Sequence, residues 1–154
     1  MNQPQSQIET NKALVKKFFA AWSRSRFDQV REMLDLDGQW WTLASRSSRS
    51  VRDQLARIAA LSSETTTGYI EFDVGPLTAE DDRVAAVVES HAQFPEQGSY
   101  DNLYHFLFEI HQDRITRVWV YYDTALANRV LRGQGSTTPP VASHARDLPA
   151  SGQT

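Results

Sequence analysis

Four residues late in the chain have the types and alternating spacing to act on a carbonyl group: Ser90, Asn102, Tyr104 and Tyr122. A phenol hydroxyl can donate to an oxygen on which negative charge develops, while amide and hydroxyl groups orient the molecule that carries it. Tyr104 and Tyr122 are the candidate catalytic donors, with Asn102 and Ser90 as orienting groups. The same hydroxyls could instead bond one another or water and line a core, because a buried tyrosine needs a partner either way.

Around them, Trp22, Trp40 and Phe106 could form a wall for a flat guest, with Thr42 and Val120 completing the pocket, or could pack as core. Both readings are compatible, since ligand pockets are mostly apolar with a few polar groups. Asp123 precedes a helical segment and reads as an N-cap, accepting backbone N–H bonds at the positive helix end. Asp101 reads as solvated. Glu89, His91 and His105 are too few for a metal site, which needs three or four converging ligands. No metal and no cofactor is therefore expected. Arg46, Arg49, Arg52 and Arg57 could attract an anion, although a solvated face with Asp53 and Glu64 accounts for them as well.

These groups must be positioned by the elements that carry them. Leu14, Val15, Phe18, Phe19 and Trp22 recur at helical spacing after the capping-box pair Ser6 and Glu9. Ser25 and Asp28 repeat that pair before a short helix with Phe27, Val30, Met33 and Leu34. Trp40 to Leu43 is short and β-prone, and Ser50 and Asp53 open a third helix. From Tyr69 the period becomes twofold, which predicts strands near 69–78, 83–94, 100–111 and 115–122 before a last helix carrying Leu126, Val130 and Leu131. In these strands the even positions are the uncharged set, so the even face is the one expected under the helices. A hairpin centred on Gln97 and another on Asp113 put Ser90, Tyr104 and Tyr122 in one inner row, and Val88, Phe106 and Val120 in the next. On the outer face Glu89, His105 and Tyr121 fall in line.

Length and composition bound the rest. The chain has 154 residues, net charge −3, 40% hydrophobic and 23% charged residues, and no cysteine. This suits one globular domain and excludes disulfides and thiol chemistry. No basic block offers a phosphate-neutralising surface, so nucleic acid is not an expected partner. No apolar run approaches the ~18 residues of a membrane span. No signal core stands at the N-terminus, and a cytoplasmic location is expected. The expected organisation is a disordered arm over 1–7, a folded domain over 8–132 and a disordered tail over 133–154, where Gly, Ser, Thr and Pro dominate.

The helix–helix–strand–helix–four-strand order resembles the NTF2-like cone, and within it the SnoaL-like and ketosteroid-isomerase-like families. The likeness is carried by Tyr100-Asp101-Asn102-Leu103-Tyr104-His105-Phe106, by Arg114-Ile115-Thr116-Arg117-Val118 and by Tyr121-Tyr122-Asp123-Thr124. It implies an α+β fold in which three N-terminal helices pack on the concave face of a curved, mostly antiparallel sheet, with a short C-terminal helix. Carried over position by position, the resemblance shows an absence. Many SnoaL-like proteins resemble R-V-R-E-Y-x-D at the last strand, and here the inward acid is replaced by Val120. Members similar to limonene epoxide hydrolase place an Arg and an Asp where Ser90 and Ala92 stand, and a Tyr and an Asn where Trp40 and Thr42 stand. Dehydratase-like members have an Asp that falls on Ser23.

The expected function is binding of a small, largely apolar or carbonyl-containing molecule in the cone. Two outcomes stay open for that pocket: cofactor-independent isomerase or cyclase chemistry by carbonyl polarisation, and non-catalytic binding. A third is a purely structural dimerisation module. The outer residues Leu103, Leu107, Trp119 and Tyr121 make an apolar patch that predicts a homodimer.

Overall fold

The computed structural model describes residues 5–131. Its elements are α1 (Gln5–Ser23), α2 (Phe27–Glu32), β1 (Leu34–Thr42), β2 (Ser47–Ser50), α3 (Val51–Ser63), β3 (Glu71–Glu80), β4 (Arg83–Phe94), β5 (Gly98–His111), β6 (Arg114–Tyr122) and α4 (Thr124–Leu131). The six strands form one sheet in the order β2-β1-β6-β5-β4-β3. Only the β1–β6 pair is parallel. The sheet is curved and open, and the α+β architecture is the expected one. α1 takes in Gln5–Gln7, which the sequence reading put in the arm. Residues 1–4, and the expected tail over 133–154, lie outside the described residues.

The helices hold because their apolar stripes find the concave face. Val15, Phe18, Phe19 and Trp22 of α1 are buried against Phe106 and Phe108 of β5. The Phe19 ring meets Phe106 edge-on at 5.0 Å, and Trp22 lies 4.4 Å from Phe72. Such pairings add about 0.5–1.5 kcal/mol each beyond area burial. α3 starts as expected, with Ser50 Oγ accepting from Asp53 N at 3.1 Å. α4 does too, Asp123 Oδ1 accepting from Leu126 N at 3.0 Å. The other two capping assignments do not hold. α1 already runs through Ser6, whose carbonyl accepts from Thr10 Oγ1. Ser25 takes a positive φ of 53° and donates to Gly68 O at 2.6 Å, while Arg26 stands at the α2 N-cap without a side-chain bond. Leu34, placed in the short helix, begins β1 instead.

The even-numbered face of β4, β5 and β6 is the inner one, as expected. Val84, Ala86, Val88, Phe106, Phe108, Val118 and Val120 all belong to the main core. The β5–β6 register is also the expected one through Tyr104↔Tyr122 and Phe106↔Val120. The β4–β5 register is two residues off. Phe94 pairs with Gly98 across Pro95–Gln97, so Ser90 faces Asn102 and Val88 faces Tyr104. Gly98, at φ 85°, closes the hairpin after a three-residue loop. On the outer face Val87, rather than Glu89, therefore stands in line with His105 and Tyr121.

The outer face departs from expectation in its exposure. Trp119, counted with the exposed patch, is 2% exposed, and Trp41 opposite it is 3% exposed. The Arg117 guanidinium lies 4.8 Å from the Trp119 ring centre, and Tyr121 packs on Trp41 at 5.1 Å. Leu107 and Tyr121 are partly buried, and the large apolar groups left open on the sheet are Leu103 and Val87. His91 clips three strands together there, its Nδ1 2.9 Å from Asp101 and its Nε2 3.0 Å from Asp73.

β1 can lie beside β6 because Gly38 lacks a side chain: a Cβ there would run into the Thr116 carbonyl. The Gly38→Ala variant should lose about 1–3 kcal/mol of stability by overpacking. A lower urea midpoint with unchanged slope is the expected readout, and an unshifted midpoint would refute this account of the β1–β6 contact.

Candidate functional site

On the concave face, directly paired residues share a side, so the ladders define rows running across the sheet. One row is Arg49–Trp40–Val118–Phe108 and the next is Ser47–Thr42–Val120–Phe106. Beyond them stand Tyr122–Tyr104–Val88, then Asn102–Ser90–Phe72, then Tyr100–Ala92. The polar groups thus collect toward the Tyr122 end of β6, and the aromatic wall of Trp22, Trp40, Phe72 and Phe106 fills the rest.

Tyr104 and Tyr122 stack at 5.4 Å with an interplanar angle of 28°. Tyr100, not among the candidates from sequence, joins them: its hydroxyl is 2.7 Å from that of Tyr104. Asn102 Nδ2 donates to Tyr100 Oη at 2.9 Å and to the Asp123 carbonyl at 3.0 Å. Asn102 Oδ1 accepts from Leu103 N at 2.8 Å and Asp123 N at 3.3 Å. All four hydrogen-bonding positions of this amide are occupied, so Asn102 positions Tyr100 and has nothing left for a guest. Ser90 is fully buried, and its Oγ accepts from Asn102 N at 3.3 Å. A signal for Tyr100 was present in the strand alternation, since it shares parity with Asn102 and Tyr104; the strand start at that residue hid it.

Burial governs the chemistry of the three phenols. It raises the Tyr104 hydroxyl well above its ordinary range, with the Tyr100 hydroxyl adding to the effect. It raises Tyr122 to about 12, opposed by Arg49, the Thr42 hydroxyl and the Ala44 backbone. Tyr100 is raised by burial too, against its bonds to Tyr104 and Asn102. All three therefore stay protonated near neutrality and act as donors, not bases. Tyr104 is surrounded by protein, yet part of its surface is solvent-accessible; Tyr122, Thr42 and Phe72 also keep accessible surface. These partly accessible surfaces lie in neighbouring rows of the concave face. Beside them Trp22, whose ring is 4.4 Å from that of Phe72, has its Nε1 buried without a hydrogen-bond partner, and buried donors in that state are uncommon.

Val120 stands in the row between Thr42 and Phe106 and is 4% exposed. The remaining candidates fall elsewhere. Asp123 is an exposed helix cap. Ser23 Oγ accepts from Phe72 N at 2.9 Å, fastening α1 to β3. His91 and His105 are on the outer face and do not converge. Metal-ligand spacing occurs among the described residues at the far end of the sheet, where donor atoms of Asp82, Glu109 and His111 lie within 4.8 Å of one another. Those groups are paired among themselves, His111 Nε2 lying 3.1 Å from Glu109 and 3.4 Å from Asp82.

The model of the SnoaL-like domain family matches residues 15–118. The chain belongs to this SnoaL-like family. No curated protein sequence matches it. Solved structures share its fold. Bal32a from a soil-derived mobile gene cassette superposes with a TM-score of 0.71 at 19% identity, covering 80% of this chain and 97% of its own. An LEH-like epoxide hydrolase of M. tuberculosis gives 0.68 at 19%, covering 82% and 93%. PrhC from Penicillium brasilianum NBRC 6234 gives 0.70 at 15%, covering 82% and 91%. At these identities the likeness is one of fold. This SnoaL-like chain has, among the described residues, no helix long and apolar enough to cross a membrane.

The raised phenols make the SnoaL-like fold sensitive to alkali. The unfolded chain releases tyrosine protons from the ordinary value of 10.0 upward, whereas folded Tyr122 holds its proton to about 12. Between those values the unfolded state binds fewer protons, so stability, full below that window, falls as pH rises through it. Absorbance titration of the native protein should show Tyr122 ionising late and the Tyr122→Phe variant losing that late step. A full phenolate signal developed near pH 10 in the folded state would reject the assignment.

Proposed function

We propose that this SnoaL-like chain binds a small, largely apolar, carbonyl-bearing molecule on the concave face and polarises its carbonyl through Tyr104 and Tyr122. The observation that carries this reading is the pair of stacked, protonated phenols, both partly accessible, beside the aromatic rings of the concave face. Trp22 Nε1 supports it, as a buried donor for which a guest could supply the acceptor. In a site of low dielectric, two fixed donors stabilise charge on oxygen more strongly than water does, because they need not reorganise. Trp40 and Phe106 would pack on the body of the guest, and Ser90, Asn102 and Tyr100 would hold the phenols in place. If turnover follows, it is isomerase- or cyclase-type chemistry with no cofactor in any step.

The test uses acetylnaphthalene as probe. Bound to the wild type, its carbonyl stretch should move to lower frequency, and the Tyr104→Phe/Tyr122→Phe double variant should bind it without that shift. Binding without any shift in the wild type would reject polarisation and leave the second reading, a non-catalytic binder. Val120 favours that second reading, because the place of an inward acid is occupied by a buried alkyl group.

Self-association through the outer sheet face belongs to the same proposal. With Trp119 buried, it rests on Leu103 and Val87, which are 64% and 48% exposed. Light scattering should give a dimer mass at micromolar concentration that the Leu103→Lys variant halves; a monomer for the wild type rules the dimer out.

A further inference from the structure

Arg49 precedes α3 in β2 and pairs with Trp40, which pairs in turn with Val118. Trp40 and Val118 belong to the core under the helices. Residues paired directly across strands project to the same side, so Arg49 stands on the concave face. Among the described residues it is the one charged side chain in the inner rows of the sheet; the others are apolar, hydroxyl or amide groups. It is partly buried, and among the described residues Asp53 is the one acid that acts on its charge. Among the described residues no ion pair reaches it, whereas Arg52 is 3.7 Å from Asp37, and Arg117 is opposite Glu109 with its guanidinium over Trp119. The groups that feel its charge are Arg57, Asp53 and Tyr122. Burial and then Arg57 hold the guanidinium below its ordinary value of 12.5, outweighing the exposed Asp53.

Partial burial of a cation with so little counter-charge is unfavourable, and it remains charged because guanidinium does not deprotonate in proteins. The missing anion then comes from the guest. We propose that Arg49 binds a carboxylate on the guest, so that the molecule held in this pocket is an aromatic or alicyclic carbonyl compound that also carries an acid group. The fork of the guanidinium fits a carboxylate through two parallel bonds. Arg49 lies at the β2 edge and interacts with Tyr122, so an acid group there lets a carbonyl farther along the ring system reach the phenols. This inference rests on the carbonyl-binding reading and adds the second polar anchor.

Two probes separate the two ideas: acetylnaphthalene, and acetylnaphthoate, which adds one carboxylate to the same rings. Calorimetry on the wild type should show acetylnaphthoate bound about tenfold tighter, in line with a hydrogen-bonded charge pair. The Arg49→Gln variant should bind both alike, with affinity for the neutral ketone unchanged. Should that variant not fold, added salt on the wild type gives a second readout, weakening acetylnaphthoate alone. Equal affinity of the wild type for both probes, or a preference that survives Arg49→Gln or high salt, overturns the role of Arg49 while leaving the carbonyl pocket standing. Failure of the wild type to bind either probe overturns the pocket reading and this inference with it.

Discussion

Asn102 is a buried amide with every hydrogen-bonding position filled by the chain itself, and the polar half of the concave face depends on it. Two of its side-chain bonds tie β5 to the β6–α4 junction, one goes to the hydroxyl of Tyr100 and one closes on the neighbouring Leu103 N. Its backbone N–H reaches the Ser90 hydroxyl on β4. A fully satisfied buried network of this kind specifies one geometry, because any shift would strand a donor or acceptor out of reach of water. The Tyr100–Tyr104 contact and the position of the α4 start are thereby fixed together.

From that constraint follows the division of the concave face. Toward the β3–β4 and β5–β6 turns it is closed by α1 and by phenylalanine rings, with Phe18, Phe19 and Phe108 fully buried. Around Tyr122 it is polar but neutral, apart from Arg49. Burial disfavours the phenolates, so the tyrosines donate and do not abstract protons. Donors and a cation with no inward acid among the described residues suit the recognition of oxygen anions better than proton transfer by a fixed base.

Much of this was legible in the chain, and the errors have physical causes. The period-two pattern of 84–94 and 102–110 identifies the inner face, because the charged residues of those strands all fall on the other parity. The β5–β6 register followed from the turn at Asp113, which with Gln112 adopts a positive φ. The β4–β5 register differs from the expected one because the loop centre depends on which residue takes the left-handed conformation, and here Gly98 does. Two strands were underestimated for a different reason. Leu34–Gly38 and Ser47–Ser50 have little apolar signal, and they are strands because β6 and β1 offer them partners. Trp119 was expected in the open because alternation assigns a side of the sheet, and a side does not by itself say how much of a residue is covered.

Alone, the sequence determined the class of fold, the identity of the concave face and the absence of an acid at Val120, since each is a matter of local periodicity and residue type. Tertiary structure decided that Tyr100 belongs with Tyr104, that Asn102 is saturated and that Arg49 is brought to the same face as the tyrosines. Those are contacts between strands far apart in the chain, and they depend on loop geometry and on a β1–β6 pairing that no short stretch of residues encodes.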